Sequence, residues 1–157
     1  TYTILPTTNN GYLLVGYTRV VQGGPQDPSL IKLNSTGEVE WDRIYDSPLY
    51  TNDSRFYDAQ PAPNGYYLIG TFNSTTVGPD VGDLMFMKID YEGNIVHEQL
   101  FDFGGMEIAE TILNTKDGGL LIGGRDHIDP QTPILIKLNS NSACLFLVYF
   151  KISFISG

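Results

Sequence analysis

Apolar residues come along this chain in short bursts: "YLLVGYT" (Tyr12–Thr18), "SLIKL" (Ser29–Leu33), "YYLIGTF" (Tyr66–Phe72), "LMFMKI" (Leu84–Ile89), "LLIGG" (Leu120–Gly124) and "ILIKL" (Ile134–Leu138). Each burst is too short for a helix of ordinary length and is flanked by Gly, Asn, Asp, Pro or Ser, which predicts β-strands joined by tight turns. The bursts do not alternate cleanly between apolar and polar. Ile31 and Leu33 would share one face, with Leu30 and Lys32 on the other; Met85, Met87 and Ile89 stand opposite Leu84 and Phe86. Strands apolar on both faces predict sheets covered on both faces. "MEIAETILNT" (Met106–Thr115) has helical propensity, but its counterparts Phe56–Pro61 and Tyr2–Thr7 do not, so a strand is predicted there as well.

The bursts repeat in register. Gly11, Gly65 and Gly119 stand 54 residues apart, and five residues after each comes Gly16, Gly70 or Gly124. Lys32, Lys88 and Lys137 fill a second column; Asn34, Asp90 and Asn139 fill a third. Gly37 and Gly93 form a fourth, where the last copy has Ser142, and Tyr45, Phe101 and Phe150 a fifth, thirteen residues after each lysine. The distance from the second glycine to the lysine is 16, 18 and 13 residues, so a loop of variable length lies between them. Three repeats of one supersecondary unit are the expectation, with approximate limits Thr1–Tyr50, Arg55–Gly105 and Ile108–Gly157. Each contains four strands, which in the first copy are Tyr2–Thr7, Tyr12–Tyr17, Leu30–Leu33 and Glu38–Tyr45. Asn9-Asn10-Gly11, Pro63-Asn64-Gly65 and Asp117-Gly118-Gly119 suit hairpin turns that need positive φ. The turn from Asn34 or Asp90 to Gly37 or Gly93 suits a type I turn closed by a glycine bulge. A four-stranded antiparallel sheet covered on both sides by copies of itself is the unit of a β-propeller, so the predicted fold is all-β, with three consecutive four-stranded propeller-type blades.

"TTNNGYLLVGYT", "SLIKLNSTGEVEWDRIYD", "GDLMFMKIDYEGNIVHEQLFDFGG" and "TKDGGLLIGG" resemble the repeat "DGGYLLAGYT…LIKLDSNGNVLW" of β-propeller-like repeat proteins of bacteria and archaea, over about Thr1 to Ser142. The resemblance implies a large protein that is secreted or attached to the cell surface. "TGEVEW" is also similar to the Trp-containing repeats of quinoprotein-type propellers, although only Trp41 is present, with His97 and Phe146 in the matching positions. Known propellers have about four or more blades. Three therefore imply a partial or open propeller, and the start at Thr1 without Met suits a processed product or a fragment of a longer chain. "ACLFLVYFKISFISG" (Ala143–Gly157) is more apolar than its counterparts, as a damaged last repeat, a frame slip or a strand that pairs elsewhere would be. Uncovered end faces predict self-association or contact with further blades of the same chain.

Composition narrows the function classes. Acidic residues outnumber basic ones 18 to 9, for a net charge of −9, and the cations are scattered, so binding to nucleic acid or an anionic membrane is not expected. The longest apolar run, Ala143–Phe150, is shorter than the ~20 residues of a membrane-spanning helix. The single cysteine, Cys144, excludes an intramolecular disulfide and reads as a small buried hydrophobe. Three glycosylation sequons begin at Asn34, Asn52 and Asn73.

Candidate chemistry is sparse. A lysine recurring once per repeat reads as structural, its stem packed along the sheet and its ammonium at the edge. His97 takes the Trp column and reads as a packing variant. Arg125, Asp126, His127 and Asp129 gather polar groups on one loop that suit an anion, a metal or a sugar. Gly78–Asp83 and Asp90–Asn94 carry oxygen ligands without the dense spacing of a calcium loop, and no phosphate loop or nucleophile elbow is present. The aromatic and polar segment Ile44–Asp58 suits carbohydrate or protein contacts. The reading is a non-catalytic scaffold, extracellular or on the cell surface, with a protein or carbohydrate ligand. No catalytic residue, cofactor or metal site is predicted, and the binding residues are left unassigned. The alternatives are a propeller enzyme whose catalytic groups lie in other blades, and a structural spacer.

Overall fold

The computed structural model describes residues 2–45, 52–74, 82–126, 132–140 and 144–149. Among these there is no helix, and the strands form three antiparallel four-stranded sheets. The first sheet holds β1 (Thr3–Pro6), β2 (Tyr12–Thr18), β3 (Asp27–Leu33) and β4 (Val39–Ile44). The middle sheet holds β5 (Asp53–Ala62), β6 (Gly65–Ser74), β7 (Asp83–Ile89) and β8 (Ile95–Phe101). In the third are β9 (Glu107–Asn114), β10 (Leu120–Asp126), β11 (Thr132–Leu138) and β12 (Cys144–Tyr149). Every sheet is a meander, its strands adjacent in chain order. Glu107–Asn114, the segment with helical propensity, is a strand paired with β10. The third strand of the first sheet begins at Asp27, three residues before the predicted Leu30, because Ser29, Pro28 and Asp27 continue the pairing with Gly16, Tyr17 and Thr18.

The repeated turns have repeated causes. Asn10, Asn64 and Gly118 occupy the left-handed region, at φ of 62°, 60° and 79°, where Asn and Gly pay least. The glycine that follows in each copy answers to a different constraint. A methyl group on Gly11, Gly65 or Gly119 would overlap the carbonyl oxygen of Leu33, Ile89 or Leu138, each at the end of the third strand. At the other turn, Gly37 and Gly93 have φ of 86° and 85°. The side chain of Asn34 accepts from the backbone N–H of Thr36 and Glu38, both at 2.9 Å, and Asp90 does the same for Glu92 at 3.0 Å and Asn94 at 2.7 Å. The pairing slips by one residue at Lys32/Leu33, Lys88/Ile89 and Lys137/Leu138, so all three sheets carry the irregularity a glycine bulge produces. Ser142, and the chain beyond Tyr149, lie outside the described residues.

The sheets stack face to face with the middle one covered on both sides. One apolar cluster joins Leu13, Val15 and Leu30 of the first sheet to Phe56, Leu68, Met85 and Met87 of the middle sheet. A second joins Ile69, Leu84 and Phe86 on the opposite face of the middle sheet to Ile112, Ile122, Ile134 and Ile136 of the third. Polar contacts pin both junctions. Trp41 Nε1 donates to the carbonyl of Tyr91 (3.0 Å) and Tyr45 Oη to that of Gly93 (3.0 Å), while Asp58 accepts from the N–H of Ile112 (3.0 Å). The far face of the first sheet is uncovered: Ile4, Tyr12 and Ile31 are exposed. Two-sided apolar strands are thus covered on both sides in the middle sheet, and the first sheet leaves one apolar face to solvent.

Substituting Gly11→Ala or Gly119→Ala forces a methyl onto a ladder carbonyl, and is expected to cost about 3 kcal/mol or more. Gly37→Ala meets no atom within 4 Å and is expected to cost about 1–2 kcal/mol, the penalty of a left-handed alanine. Denaturant melts of the three variants check the ordering.

Candidate functional site

The three column lysines do not behave alike. Lys32 is buried beside its hairpin turn. Its ammonium donates to the carbonyl of Leu33 (2.9 Å) and to Asn9 Oδ1 (3.2 Å), and pairs with Glu40 (2.6 Å). Lys137 repeats this with the carbonyl of Leu138 (3.0 Å), Thr115 Oγ1 (2.9 Å) and Asp117 (3.0 Å). Hydrogen bonds from Thr115 and Lys137 hold the Asp117 carboxyl down at about 2. In the middle copy, Pro61 and Pro63 replace the Thr and the Asn or Asp of the other turns, where Asn9, Thr115 and Asp117 bond the ammonium and Thr7 bonds Asn9. Proline side chains accept no hydrogen bond, and Lys88 instead lies 5.8 Å from the ring centre of Tyr67, a residue that is Leu in the other copies. Lys32 and Lys137 fasten turns to strand ends, their ammonium groups turned under the hairpins.

Opposite these turns, where β2 ends and β1 and β5 begin, the sheets carry an aromatic cluster. Tyr2 packs against Tyr17 and Tyr57 with ring centres 5.6 and 4.8 Å apart, and both Tyr2 and Tyr17 are exposed. Arg55 lies 5.5 Å from the Tyr17 ring centre and is held by Asp53 at 2.7 Å. Burial raises the Tyr2 hydroxyl above its ordinary value, and the neighbouring Tyr57 adds to this. Arg55, Tyr57 and Asp53 come from the segment Ile44–Asp58 singled out in the sequence, and Tyr2 and Tyr17 join them only through the fold. Residues 46–51 of that segment lie outside the described residues.

A second group at the same end includes Asp83, from the oxygen-bearing segment Gly78–Asp83, with two carboxylates the sequence did not bring to it. Asp83 opens β7, Asp102 follows β8, and Glu107 opens β9; oxygens of the three carboxyl groups lie within 4.8 Å of one another. Glu107 is fully buried. Its Oε1 accepts from the N–H of Gly105 at 3.1 Å, and its Oε2 has no hydrogen-bond partner among the described residues. Burial, against backbone hydrogen bonds from Gly105 and Phe103 and with help from Asp126 and Asp102, pushes the Glu107 carboxyl up to about 7. Burial and the charge of Asp102 raise Asp83 too.

The remaining sequence candidates are dispersed. His97 lies on β8 with its ring 6.2 Å from Phe86. Arg125 is ion-paired with Glu110 on the neighbouring strand; His127 and Asp129 lie outside the described residues, as does the side chain of Cys144. Asn34 is committed to its turn, and the Asn52 amide donates to Asn73 Oδ1 at 3.0 Å, so two of the sequon asparagines bond each other. No protein-family model and no curated protein matches the chain.

In chelator-treated buffer the fully buried Glu107 gives a pH signature. Burial pushes its carboxyl up to about 7 in the fold, above the ordinary value of about 4.5. The neutral form is the one the fold favours, so its contribution is complete below about pH 4.5 and is lost as the pH rises through 7. Stability is expected to fall over that window by on the order of 3 kcal/mol. Glu107→Gln is expected to flatten this limb in melts run from pH 4 to 8.

Proposed function

We propose that the chain is a non-catalytic β-propeller-type scaffold, its three sheets consecutive blades, which binds a carbohydrate or protein ligand outside the cytoplasm. The observation that carries the binding reading is the Tyr2–Tyr17–Tyr57 cluster, with Tyr2 and Tyr17 exposed and Tyr57 half-buried, bordered by Arg55 and Asp53 on strand ends held by a packed frame. Aromatic faces cover the apolar faces of sugars or peptide side chains, and a guanidinium and a carboxylate supply oriented hydrogen bonds at their rim. Rigid strands keep such a surface organised before the ligand arrives. The non-catalytic reading is supported by the use of two of the recurring lysines, Lys32 and Lys137, which are spent on turn geometry. The blade reading is supported by three meanders stacked face to face around a middle sheet covered twice. The net charge of −9 and the scattered cations argue against a nucleic-acid ligand.

The binding test is a glycan array with a parallel protein pull-down, run on the chain and on a Tyr2→Ala/Tyr57→Ala variant. Binding is expected to drop about tenfold or more in the variant, the effect of removing an interface hot spot, with an unchanged melting temperature. Equal binding by the variant sinks the aromatic surface, and turnover in a hydrolase screen overturns the non-catalytic reading. The blade reading makes a separate prediction. The open face with Tyr12 and Ile31 is one that another blade would cover, so sedimentation should show concentration-dependent association. Ile31→Lys is expected to weaken it.

A further inference from the structure

Two junctions between sheets in this molecule are built alike, which makes one a control for the other. Between the first and middle sheets, the N–H of Ser54 donates to the carbonyl of Gln26 at 2.7 Å; between the middle and third, the N–H of Glu107 donates to the carbonyl of Gly82, also at 2.7 Å. Asp27 follows Gln26 as Asp83 follows Gly82, each five residues before its column lysine. Ser54 and Glu107 therefore hold the same structural position, and both are fully buried. The Ser54 hydroxyl is used there, accepting from the N–H of Asn73 at 2.8 Å. Junction geometry thus does not require an acid at this position. Where the second junction has one, it stands among two further carboxylates, with Oε2 unpartnered among the described residues. The ion pairs made by Lys32, Arg55, Arg125 and Lys137 go to other carboxylates than Asp83, Asp102 and Glu107. A buried carboxylate oxygen without a hydrogen bond or a counter-charge is costly, and a cation removes both deficits together.

We propose that Asp83, Asp102 and Glu107 form a calcium site that clamps the middle sheet to the third. The donors are all carboxylate oxygens, which suit hard divalent cations. Oxygens on opposite sides of a Ca²⁺ ion stand about 4.6–5.2 Å apart, against about 4.0–4.2 Å for Mg²⁺. Oxygens that all lie within 4.8 Å of one another are close enough for one Ca²⁺ ion to reach all three. Its backbone is fixed before any ion arrives. A parallel bridge joins Gly82 to Met106, the Thr71 hydroxyl donates to the carbonyl of Glu107 at 3.3 Å, and the N–H of Gly104 donates to Asp102 Oδ1 at 2.8 Å. Burial is graded from Glu107, fully enclosed, through half-buried Asp83 to exposed Asp102, which leaves an open side for entry and for water ligands. Asp126, paired with Glu107 across β9 and β10, adds negative charge nearby.

Calcium titration of the chelator-treated chain at neutral pH, by calorimetry and by thermal melting, tests the proposal. One Ca²⁺ per chain is expected to bind saturably and to raise the melting temperature. Glu107→Gln and Asp102→Asn are each expected to weaken binding at least about tenfold, as loss of a charged ligand does. Should Glu107→Gln fail to fold, Asp102→Asn, at an exposed position, carries the test. The absence of saturable binding up to about 10 mM Ca²⁺, well above the weakest calcium modules, overturns the proposal. So does undiminished binding in Asp102→Asn, or tighter uptake of Mg²⁺ than of Ca²⁺.

Discussion

A meander whose strands are apolar on both faces has no stable existence as a single layer, and this constraint organises the molecule. Leu68 and Met87 look one way from the middle sheet, Ile69 and Phe86 the other, and both sets are fully buried. Burying either set needs a second sheet of matching width, and the most economical source is another copy of the same unit. Stacking then fixes what each copy must preserve. Its strands must be flat and short enough to face their neighbours, and its turns tight enough not to obstruct the next sheet. The glycines packed against the carbonyls of Leu33, Ile89 and Leu138 satisfy the second requirement, since any side chain there would push the hairpin off the strand end it closes.

Within this frame the two ends of the stack are chemically different. The hairpin end is internally satisfied: Lys32 and Lys137 use their ammonium groups on carbonyls and turn side chains, and Asn34 and Asp90 use their side chains on their own turns. At the opposite end the variable loops begin and end, and there the groups not spent on folding collect. Tyr2 and Tyr17 remain exposed, and Glu107 keeps an oxygen without a partner among the described residues. Function is expected where side chains exceed what the backbone geometry needs.

What could be read from the sequence follows from the same division. Strands, turns and sheet count were legible because they are written three times in local patterns, and Glu107–Asn114 could be assigned against its helical propensity by its counterparts. The column lysines were legible as structural, but their burial under the turns was not. That depends on Thr7, Asn9, Thr115 and Asp117 lying opposite in the hairpin, and on Pro61 and Pro63 removing the arrangement from the middle copy. The carboxylate cluster was not legible, because Asp83, Asp102 and Glu107 come from three segments of unrelated pattern. The 54-residue spacing sets Glu107 against Asp53; only the junction hydrogen bonds show that it stands where the preceding copy has Ser54.

The stacking order also bears on how the molecule comes apart. Packing between sheets runs from β1, β2 and β3 to β5, and from β5, β6 and β7 to β9, so cohesion passes from neighbour to neighbour along one direction. In such a linear array a terminal member has one interface to lose and a central member two, and opening proceeds inward from the ends. The amides of β6 and β7, flanked by both apolar clusters, are then the last to exchange with solvent. The middle sheet keeps the register for the others, although its own turn has given up the lysine hydrogen bonds that its neighbours retain.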